Sequence, residues 1–442
     1  MSELAILGGP KFLDSYCDPI FHWPIVNDAM RQAQTDVLND GNMSGTNITR
    51  KFEEKFAEWQ GVKYALAHNS GTAALTSAMY GIGLGEGDEL ICPASTYWAS
   101  CTSALSLGAT VVFCDIDPTN LTIDPDSFEA HITPRTKAVM VVHAMGYPAD
   151  MDRIMAIARK HGVKVIEDVS HAQGGHYKGR MLGTFGDVAG MSLMTGKSFA
   201  IGEGGIMVTN DYEVYRRAVR FGHYERIGEI FSWDEIKDTL NVPFGGVKFR
   251  MHQCSSAIGL IQLTKYDNEK AEIDRAMKYY WAGIQDIPGL TMIYPKDEGS
   301  DKAGWYSSRA LYDAAAFDGV TNKTFCNALN AEIGGGYAPG MYFSLAHSSV
   351  FFDEPIYGGK QATAQRFLPP GVNARKLTGE LPAANAVNGR VFGEAVFKHD
   401  DHSIIDLFIE AVRKVAKHHT ELLPINDTSE CMGYIGLTVD KK

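Results

Sequence analysis

Three short segments of the sequence carry residue types that could act on one ligand. In the first, Ser70-Gly71-Thr72 follows a short apolar run and begins a helical pattern. A glycine lets the backbone approach a ligand, and a helix N-terminus presents free N–H groups to an anion such as phosphate. The same residues also form an ordinary helix cap, so this segment alone does not establish an anion site.

The second segment ends an apolar run with two carboxylates. Glu167 and Asp168 follow Val165-Ile166, and His171 stands three residues after Asp168. Open α/β sheets bind ligands at the carboxyl ends of their parallel strands, where a carboxylate could hold a ring nitrogen protonated. A carboxylate that caps the next helix would give the same pattern.

The third segment places Lys197 between an apolar run and a glycine-rich turn, in SLMTGKSFAIGEGGIMVTND. Burial at such a place would favour the neutral, nucleophilic amine, although most lysines simply reach solvent. Together the three segments match the requirements of pyridoxal phosphate. That cofactor needs an anion site, a carboxylate for its pyridinium nitrogen and a lysine for its Schiff base.

The elements that would position these segments alternate between strand and helix from about residue 49 to residue 270, which predicts an α/β fold with a mostly parallel sheet. The predicted strands are Leu90–Cys92, Thr110–Asp115, Ala138–His143, Val163–Glu167, Val188–Leu193 and Gly205–Thr209. Helices are predicted over Lys51–Gln60 behind a cap at Thr49, over Met151–His161, near Lys265–Gln285 and over Ile404–His418.

Beyond about residue 270 the chain becomes rich in glycine, tyrosine and proline, which predicts a second domain. We expect a large domain at 49–270 and a smaller domain at 271–442. Residues 1–48 are expected to pack near the small domain.

In this order, the segments SGTAAL, PASTYWAS, IEDVSHAQG, SLMTGKSFAIGEGGIMVTND and GVKFRMHQCSSAIGLIQL resemble the DegT/DnrJ/EryC1/StrS family of sugar aminotransferases. The resemblance is strongest over about residues 40 to 270, and its most discriminating parts are K-x4-G-E-G-G and I-E-D-x-x-H. It implies the fold type I architecture of pyridoxal 5'-phosphate enzymes. In that architecture a mostly parallel seven-stranded sheet lies between helices, beside a smaller α/β C-terminal domain.

The resemblance also implies a role for each matching residue. Lys197 would form the Schiff base and carry the proton in transamination. Asp168 would pair with the pyridine nitrogen, and His171 would lie near the phenolic oxygen of the cofactor. Tyr97 would stack on the pyridine ring. The phosphate would be held by Gly71, Thr72 and Ser192.

One segment departs from the family pattern G-x-N-x-R-M-S, because Lys248 stands at the Asn position and Arg250 follows in GVKFRMH. Family members place this segment at the cofactor phosphate of the neighbouring subunit, so the resemblance implies a homodimer with shared active sites. Lysine can still meet a phosphate there as a point charge. In the C-terminal half, Tyr337, Tyr342 and His347, together with Arg250, are candidate substrate contacts.

The leading functional hypothesis is a ping-pong aminotransferase that moves an amino group from glutamate or glutamine to a keto sugar or keto cyclitol. Lys248 and the opening Leu4–Gly9 resemble the cyclitol branch of the family, so a free or monophosphorylated ketone is expected. The alternatives are a nucleotide-linked keto-sugar aminotransferase, a dehydratase and a non-catalytic regulator. Dehydratases of the family carry His at the lysine position, and Lys197 argues against that alternative.

The composition excludes several other classes of protein. Among 442 residues, a net charge of -12 opposes binding to nucleic acid and to anionic membranes. No run approaches the ~18 apolar residues of a membrane span, and the first residues, MSELAILGGPKF, show no basic segment followed by a long apolar run, so we expect a cytoplasmic protein. The seven scattered cysteines predict no metal site and no disulfide framework; Cys92 and Cys114 are expected in the core. Trp98 is also expected in the core, facing away from Tyr97.

Overall fold

A seven-stranded sheet forms the centre of the computed structural model, which describes residues 2–14, 18–431 and 433. Cys17 lies outside the described residues. The strands of the chain are β1 Tyr64–His68, β2 Glu89–Pro93, β3 Thr110–Cys114, β4 Thr136–Val142, β5 Lys164–Asp168, β6 His176–Tyr177, β7 Arg180–Met181, β8 Val188–Ser192, β9 Gly205–Thr209, β10 Leu290–Met292, β11 Ser308–Tyr312, β12 Ala338–Pro339 and β13 Val391–Glu394.

The order of the large sheet is β1-β9-β8-β5-β4-β2-β3. Strand β9 runs antiparallel to both of its neighbours, and the other six strands are parallel to one another. The prediction of a mostly parallel seven-stranded sheet is therefore confirmed. Because the parallel strands end at one edge, the residues after β1, β2, β5 and β8 converge there.

Helices cover both faces of the large sheet, and further helices build the C-terminal half. They are α1 Asp18–Phe21, α2 Asp28–Asp40, α3 Asn47–Gln60, α4 Gly71–Gly81, α5 Ser103–Ser106, α6 Pro125–Ala130, α7 Met151–His161, α8 Tyr212–Gly222, α9 Ile227–Ile230, α10 Trp233–Ile236, α11 Gln253–Ala282, α12 Asn322–Ile333, α13 Ala374–Thr378, α14 Pro382–Ala386 and α15 His402–Lys417.

The central strands are buried along their whole length because both faces of the sheet are covered, and successive side chains enter the cores on opposite faces. In β3, Val111 and Phe113 belong to the core on the side of α4 and α8, whereas Val112 and Cys114 belong to the core on the side of α3 and α7. Cys92 and Cys114 are fully buried, as predicted.

The predicted elements agree with the observed ones to within a few residues, apart from two helix starts. Helix α3 begins at Asn47 behind Thr46, so the prediction that Thr49 caps it is wrong. Thr49 is instead buried inside the helix, where its hydroxyl lies 2.8 Å from Ser256 Oγ. Helix α11 begins twelve residues before the predicted Lys265, because a histidine caps it at residue 252.

A smaller antiparallel sheet, in the order β10-β11-β13-β12, lies in the C-terminal half. Helices α12 and α15 pack on it in a core that includes Phe325, Phe392 and Phe408. Leu4 and Ile20 of the N-terminal segment are buried in the same core. The predicted domain boundary at residue 270 falls within the continuous helix α11, and that division stays a prediction.

The chain between β12 and β13 returns to the large sheet. Leu345 N donates to Ala94 O at 2.9 Å, and Phe113 N donates to Thr378 Oγ1 at 3.2 Å. Helix α13 packs on the edge strand β3. This returning segment brings residues of the C-terminal half to the edge where the parallel strands end.

Candidate active site

A cavity opens at the carboxyl ends of the parallel strands, beside the N-terminus of α4. The cavity and its mouth contain about 850 Å³ of empty space. Its lining includes Ser70, Gly71, Thr72, Thr96, Tyr97, Ser100, Asp168, Ser170, His171, Ser192, Met194, Lys197, Glu203, Tyr306 and Tyr342. All the residues predicted to touch the cofactor, apart from Lys248, are in this set.

One end of the cavity is an anion cradle at the start of α4. Ser70 caps the helix by accepting a hydrogen bond from Ala73 N at 3.1 Å. Among the described residues, the N–H groups of Gly71 and Thr72 have no hydrogen-bond acceptor, as expected for a first helical turn. The Ser192 hydroxyl lines the cavity beside them. Two free N–H groups, the Ser192 hydroxyl and the positive end of a helix suit a phosphate.

Glycines allow the elements that form the anion cradle to pack closely against one another. A Cβ on Gly71 would lie 2.5 Å from Ser192 Cβ, so only glycine lets the start of α4 reach the end of β8. A Cβ on Gly205 would lie 2.3 Å from Ser70 O, so the last glycine of the G-E-G-G motif is required for the same reason. Gly202 turns the chain with a φ of +99°. The motif therefore shapes the cradle by close packing.

Asp168 lies at the end of β5 with its carboxylate held from two sides. Its Oδ2 accepts a hydrogen bond from Ser100 Oγ at 2.7 Å, and its Oδ1 accepts one from Ser170 N at 3.0 Å. The side chain is buried and lines the cavity. These two bonds fix its orientation and leave acceptor capacity for a protonated nitrogen.

The adjacent Glu167 has a structural role. Its carboxylate accepts hydrogen bonds from the backbone N–H groups of Gly183, Phe185 and Gly186. It also contacts His143 Nε2 at 3.1 Å, while His143 Nδ1 accepts from Ala149 N. Successive residues of a strand face opposite sides of the sheet, so only one of the two carboxylates reaches the cavity.

Lys197 enters the cavity from the turn between β8 and β9 and is 7% exposed. Burial lowers the pKa of its ammonium to about 8, and the charge of Asp168 opposes that shift. Its Nζ lies 4.1 Å from the centre of the Tyr306 ring. Its backbone oxygen accepts a hydrogen bond of 2.8 Å from the indole of Trp23. An amine with this pKa is partly neutral at physiological pH and can act as a nucleophile or a base.

His171 is neutral, and its tautomer follows from its contacts. Burial lowers the pKa of the imidazole well below its usual value, and the positive charge of Lys197 adds to the effect. A backbone N–H can only donate, so Nδ1 accepts from Met145 N at 3.3 Å and Nε2 carries the proton. Nε2–H then donates to the Tyr342 hydroxyl at 3.3 Å. The ring stacks on Tyr306 with centroids 4.1 Å apart.

The mouth of the cavity is aromatic. Tyr97 lines it from the turn after β2, and its ring centroid lies 6.2 Å from that of Tyr342. The prediction that Trp98 belongs to the core is wrong, because a short helical turn replaces the extended backbone there and leaves Trp98 45% exposed. Thr96, Tyr97 and Tyr342 also line an adjoining apolar groove, whose other walls are Trp98, Thr102, Phe343, Leu345, Ser348, Val350 and Phe351. We call this the aromatic groove.

Four predicted contact residues lie outside the cavity lining of their own chain. Tyr337 is buried in the C-terminal core, where its hydroxyl lies 2.8 Å from that of Tyr280. His347 Nε2 lies 2.9 Å from Asn385 Oδ1. The backbone of Arg250 forms an isolated antiparallel β-bridge with His68 at the end of β1. Lys248 Nζ lies 5.9 Å from the ring centre of Tyr224.

Sequence reasoning missed Tyr306, Ser100, Ser170 and Trp23. Ser170 follows Asp168 by two residues, which is the spacing of a carboxylate that accepts a hydrogen bond from the backbone after it. Ser100 lies 68 positions from its partner Asp168, and Trp23 lies 174 positions from Lys197. No local pattern indicates such pairs.

The donor set fits pyridoxal phosphate. The cradle of Gly71, Thr72 and Ser192 would hold the phosphate, Asp168 would hold the pyridine nitrogen, and Lys197 would hold the aldehyde carbon. The residues for all three functions line one cavity at one edge of the sheet. A free helix N-terminus, an oriented carboxylate and a buried amine are together what this cofactor requires.

Comparison with known proteins agrees with this geometry. The model of the DegT/DnrJ/EryC1/StrS aminotransferase family matches residues 24–368. The spore coat polysaccharide biosynthesis protein SpsC of Bacillus subtilis is 33% identical over 89% of this chain and 96% of its own length. The GDP-perosamine synthase of Caulobacter vibrioides is 40% identical, but over 52% of this chain and 60% of its own length.

Two further relatives extend the range of similar proteins. A Micromonospora echinospora protein assigned as an L-glutamine:3-amino-2,3-dideoxy-scyllo-inosose aminotransferase is 29% identical over 93% of this chain and 94% of its own length. The crystal structure of DesI with its TDP-sugar product superposes with a TM-score of 0.77 and 25% identity, covering 96% of this chain and 99% of DesI.

The described residues contain neither a candidate membrane span nor a candidate metal site. None of their helices is long and apolar enough to cross a membrane. Within the same part of the chain, no three His, Cys, Asp or Glu residues are grouped as metal ligands would be.

Proposed function

Because this chain belongs to the DegT/DnrJ/EryC1/StrS aminotransferase family, we propose that it transfers the amino group of glutamate or glutamine to a keto sugar or keto cyclitol in two half-reactions. The chain is a pyridoxal phosphate-dependent aminotransferase. One observation carries the assignment of its residues: Lys197 is buried in a cavity that also holds Asp168 and the anion cradle of α4.

Pyridoxal phosphate, when bound, serves as an electron sink for the carbon that carries the amino group. In our proposal the Gly71 and Thr72 N–H groups and the Ser192 hydroxyl bind its phosphate. The Asp168 carboxylate, oriented by Ser100 and Ser170, holds the proton on its ring nitrogen through a charge-assisted hydrogen bond.

Lys197 is proposed to accept and return the proton at the reacting carbon. A general acid or base works best when its pKa lies near the operating pH, and the Lys197 pKa of about 8 meets that condition. The hydrogen bond from Trp23 to its backbone oxygen restrains the residue without engaging Nζ.

His171 is proposed to orient the Tyr342 hydroxyl toward the substrate side of the cavity. The backbone N–H of Met145 fixes the imidazole tautomer, so Nε2–H is available as a donor to that hydroxyl. A neutral imidazole also avoids a second positive charge beside Lys197.

The acceptor is proposed to be a polyhydroxylated cyclic ketone, free or monophosphorylated. The similarity to an inosose aminotransferase over nearly the whole chain supports a cyclitol, and SpsC supports a sugar of a polysaccharide pathway. A nucleotide-linked keto sugar is the second candidate. It is favoured by the GDP-perosamine synthase relative and by the aromatic groove, whose rings could stack on a base.

The two half-reactions can be measured separately. The holoenzyme is mixed with glutamate or glutamine, and conversion of the bound cofactor is followed by its visible absorption. The aminated enzyme is then mixed with a keto cyclitol, a simple keto sugar or a nucleotide-linked keto sugar, and specificity constants are compared. A bleached band that no ketone restores would overturn the proposed acceptor class, and a band that neither donor bleaches would overturn the proposed donors.

Trp98→Ala separates the two acceptor candidates. Trp98 forms a wall of the aromatic groove but does not line the cofactor cavity. If the acceptor carries a nucleotide, loss of the ring should lower kcat/KM for that substrate about tenfold or more. If the acceptor is a free cyclitol or sugar, the variant should retain the wild-type constant for it. Leu38→Ala, on the exposed face of α2, is a control for surface substitutions.

The same experiments test the remaining alternatives. A dehydratase would not transfer the amino group of the donor to the ketone. The dehydratases of the family carry His at the position of Lys197. A regulator without turnover would leave the cofactor band unchanged after the donor is added.

The functional unit is proposed to be a homodimer with shared active sites. The segment that leads to Lys248 exposes large apolar side chains, including Trp233, Leu240, Val242 and Phe244. Exposed apolar clusters of this kind commonly mark protein interfaces. Burial of this segment against a second copy would bring Lys248 to the partner's anion cradle.

Sedimentation tests the dimer. The wild-type protein should have the mass of two chains or more at micromolar concentration. Leu240→Asp with Phe244→Asp should shift the mass to one chain and lower activity, whereas Tyr357→Asp, on a different exposed loop, should do neither. An active single chain would refute the shared site.

A further inference from the structure

Tyr306 occupies a wall of the cavity between two groups that the proposed chemistry uses. It follows the fully buried Trp305 and precedes β11. Its ring centre lies 4.1 Å from Lys197 Nζ, and the His171 ring stacks on it at 4.1 Å with an angle of 7°. Tyr306 therefore contacts the free amine and the neutral imidazole through its ring.

The Tyr306 ring is a short-range attractive contact of the ammonium. Lys197 forms no ion pair within 4.0 Å among the described residues, although the charge of Asp168 acts on it. The face of a tyrosine ring attracts a cation, and the attraction increases when both groups are shielded from water. The lysine side chain is almost completely buried and the Tyr306 ring is partly buried, so the contact is partly shielded from water.

The hydroxyl of Tyr306 is engaged elsewhere. It interacts with the Tyr342 hydroxyl, on the side of the cavity where His171 Nε2 also donates. The ring face is thus the part of Tyr306 presented to Lys197. This distinction can be tested, because phenylalanine keeps the ring and removes only the hydroxyl.

We propose that the Tyr306 ring holds the Lys197 ammonium whenever this amine is free, and that Tyr306 thereby positions the proton that Lys197 carries in transamination. Tyr306 is then a positioning residue, which acts through Lys197. The catalytic part of the inference rests on the proposed function of Lys197. The contact itself belongs to the protein without cofactor and can be measured there.

Several titratable groups surround the Lys197 amine, and a test must keep them constant. They are Asp168 at the end of β5, His171 in the turn after it, Glu203 in the glycine-rich turn, Tyr97 after β2, and Tyr306 and Tyr342 from the C-terminal half. Tyr306→Leu and Tyr306→Met change only one of them. Both side chains are apolar and provide no aromatic face, so they remove the ring contact without adding a charge or a hydrogen-bonding group.

The experiment measures the reactivity of Lys197 in the cofactor-free protein. A short pulse of an amine-acylating reagent is applied across a pH series, and peptide mass spectrometry gives the midpoint at which Lys197 becomes reactive. Tyr306→Leu and Tyr306→Met should lower this midpoint by about 0.5 to 1 pH unit, because the ring favours the charged form. Tyr306→Phe should keep the wild-type midpoint.

Internal controls separate a local effect from a general loss of structure. Lys265 pairs with Glu269 on α11, so its reactivity should be the same in every variant. Circular dichroism reports folding, and if Tyr306→Leu does not fold, Tyr306→Met supplies the result. Unchanged midpoints in the ringless variants would overturn the proposal. An equal shift in Tyr306→Phe would also overturn it, because the hydroxyl would then be responsible.

A second measurement tells this inference apart from the proposed function. Borohydride reduction of the holoenzyme, followed by peptide mapping, identifies the lysine that binds the cofactor. Attachment at another lysine would refute the role of Lys197 in the proposed function, whatever the acylation midpoints are. Attachment at Lys197 with unchanged midpoints would refute only the Tyr306 inference.

Discussion

The two walls of the cavity are built differently. On the wall formed by the large sheet, polar groups are held by hydrogen bonds and by close packing of strand ends: Asp168 accepts from Ser170 N and Ser100 Oγ, and Gly71 packs directly on Ser192. On the opposite wall, Tyr306 and Tyr342 come from loops of the C-terminal half. There the side chains meet through ring contacts and phenol hydroxyls.

This difference separates two functions. Groups held by backbone hydrogen bonds at strand ends keep their positions when neighbouring side chains change, which suits the chemistry that every substrate shares. Rings carried on loops can change in size and position without disturbing the sheet, which suits recognition of a particular acceptor. Substitutions in the sheet wall should therefore abolish the reaction, whereas substitutions in the loop wall should reduce or redirect it.

The largest effect is expected for Lys197→Ala. Loss of the amine removes both the attachment point of the cofactor and the proton carrier, so transamination should fall by at least about 10⁴-fold. The visible band of the attached cofactor should disappear as well. Lys178→Ala, which removes an exposed ion pair with Asp152, is the control and should retain full activity. Normal turnover without Lys197 would contradict the assignment of the sheet wall.

A smaller but still large effect is expected for Asp168→Ala. Without the carboxylate, the ring nitrogen loses its charge-assisted partner, and activity should fall about 100-fold or more together with weaker cofactor binding. Cofactor titration and initial rates measure the two effects. A nearly wild-type rate would mean that Asp168 only organises the turn after β5.

The adjacent Glu167 provides a matched comparison for Asp168. Glu167→Ala leaves three backbone N–H groups and His143 without their acceptor, so the free energy of unfolding should fall by about 3 kcal/mol or more. Its cofactor affinity, measured below the unfolding transition, should remain close to that of the wild type. Weak cofactor binding in a well-folded Glu167→Ala protein would contradict this division of roles.

Two tyrosines of the C-terminal half test the loop wall. Tyr342→Phe removes the hydroxyl that accepts from His171 in the cavity, so kcat/KM should fall about tenfold with little change in stability. Tyr337→Phe removes a hydroxyl buried against Tyr280, so stability should fall by about 1 kcal/mol with unchanged kinetics. Thermal unfolding and steady-state kinetics on both variants check the comparison, and equal behaviour of the two would contradict it.

Much of the sheet wall could be predicted because local patterns determine it. A strand end followed by a carboxylate, or a glycine before a helix, places a side chain at the sheet edge within a few residues. Asp168, Gly71 and Lys197 were found in this way, and the observed strands agree with those predicted from apolar runs. The three segments together indicated the cofactor, and the family resemblance implied the same one.

The loop wall could be predicted only in part, because distant contacts determine it: Tyr342 was a candidate contact and lines the cavity, whereas Tyr306 was not predicted. Tyr337 and Tyr342 are only five residues apart, but Tyr337 lies in the C-terminal core and Tyr342 lines the cavity. The choice depends on the segment between β12 and β13, which crosses back to the edge strand β3. Tyr306, just before β11, and Trp23, in the N-terminal segment, also reach the site only through tertiary packing, and no periodicity marks them.

The smallest effect is expected for Trp23→Phe, which tests the N-terminal segment as a third support of the site. Phenylalanine keeps a ring near Lys398, whose Nζ lies 5.0 Å from the Trp23 ring, but it cannot donate to Lys197 O. One lost hydrogen bond costs about 1 kcal/mol, so kcat should fall about fivefold. KM should not change, because Trp23 does not line the cavity. Trp281→Phe, which loses an indole bond to Glu394 in the C-terminal core, should lower stability and leave kcat unchanged. A wild-type kcat in Trp23→Phe would show that the sheet alone holds Lys197 in place.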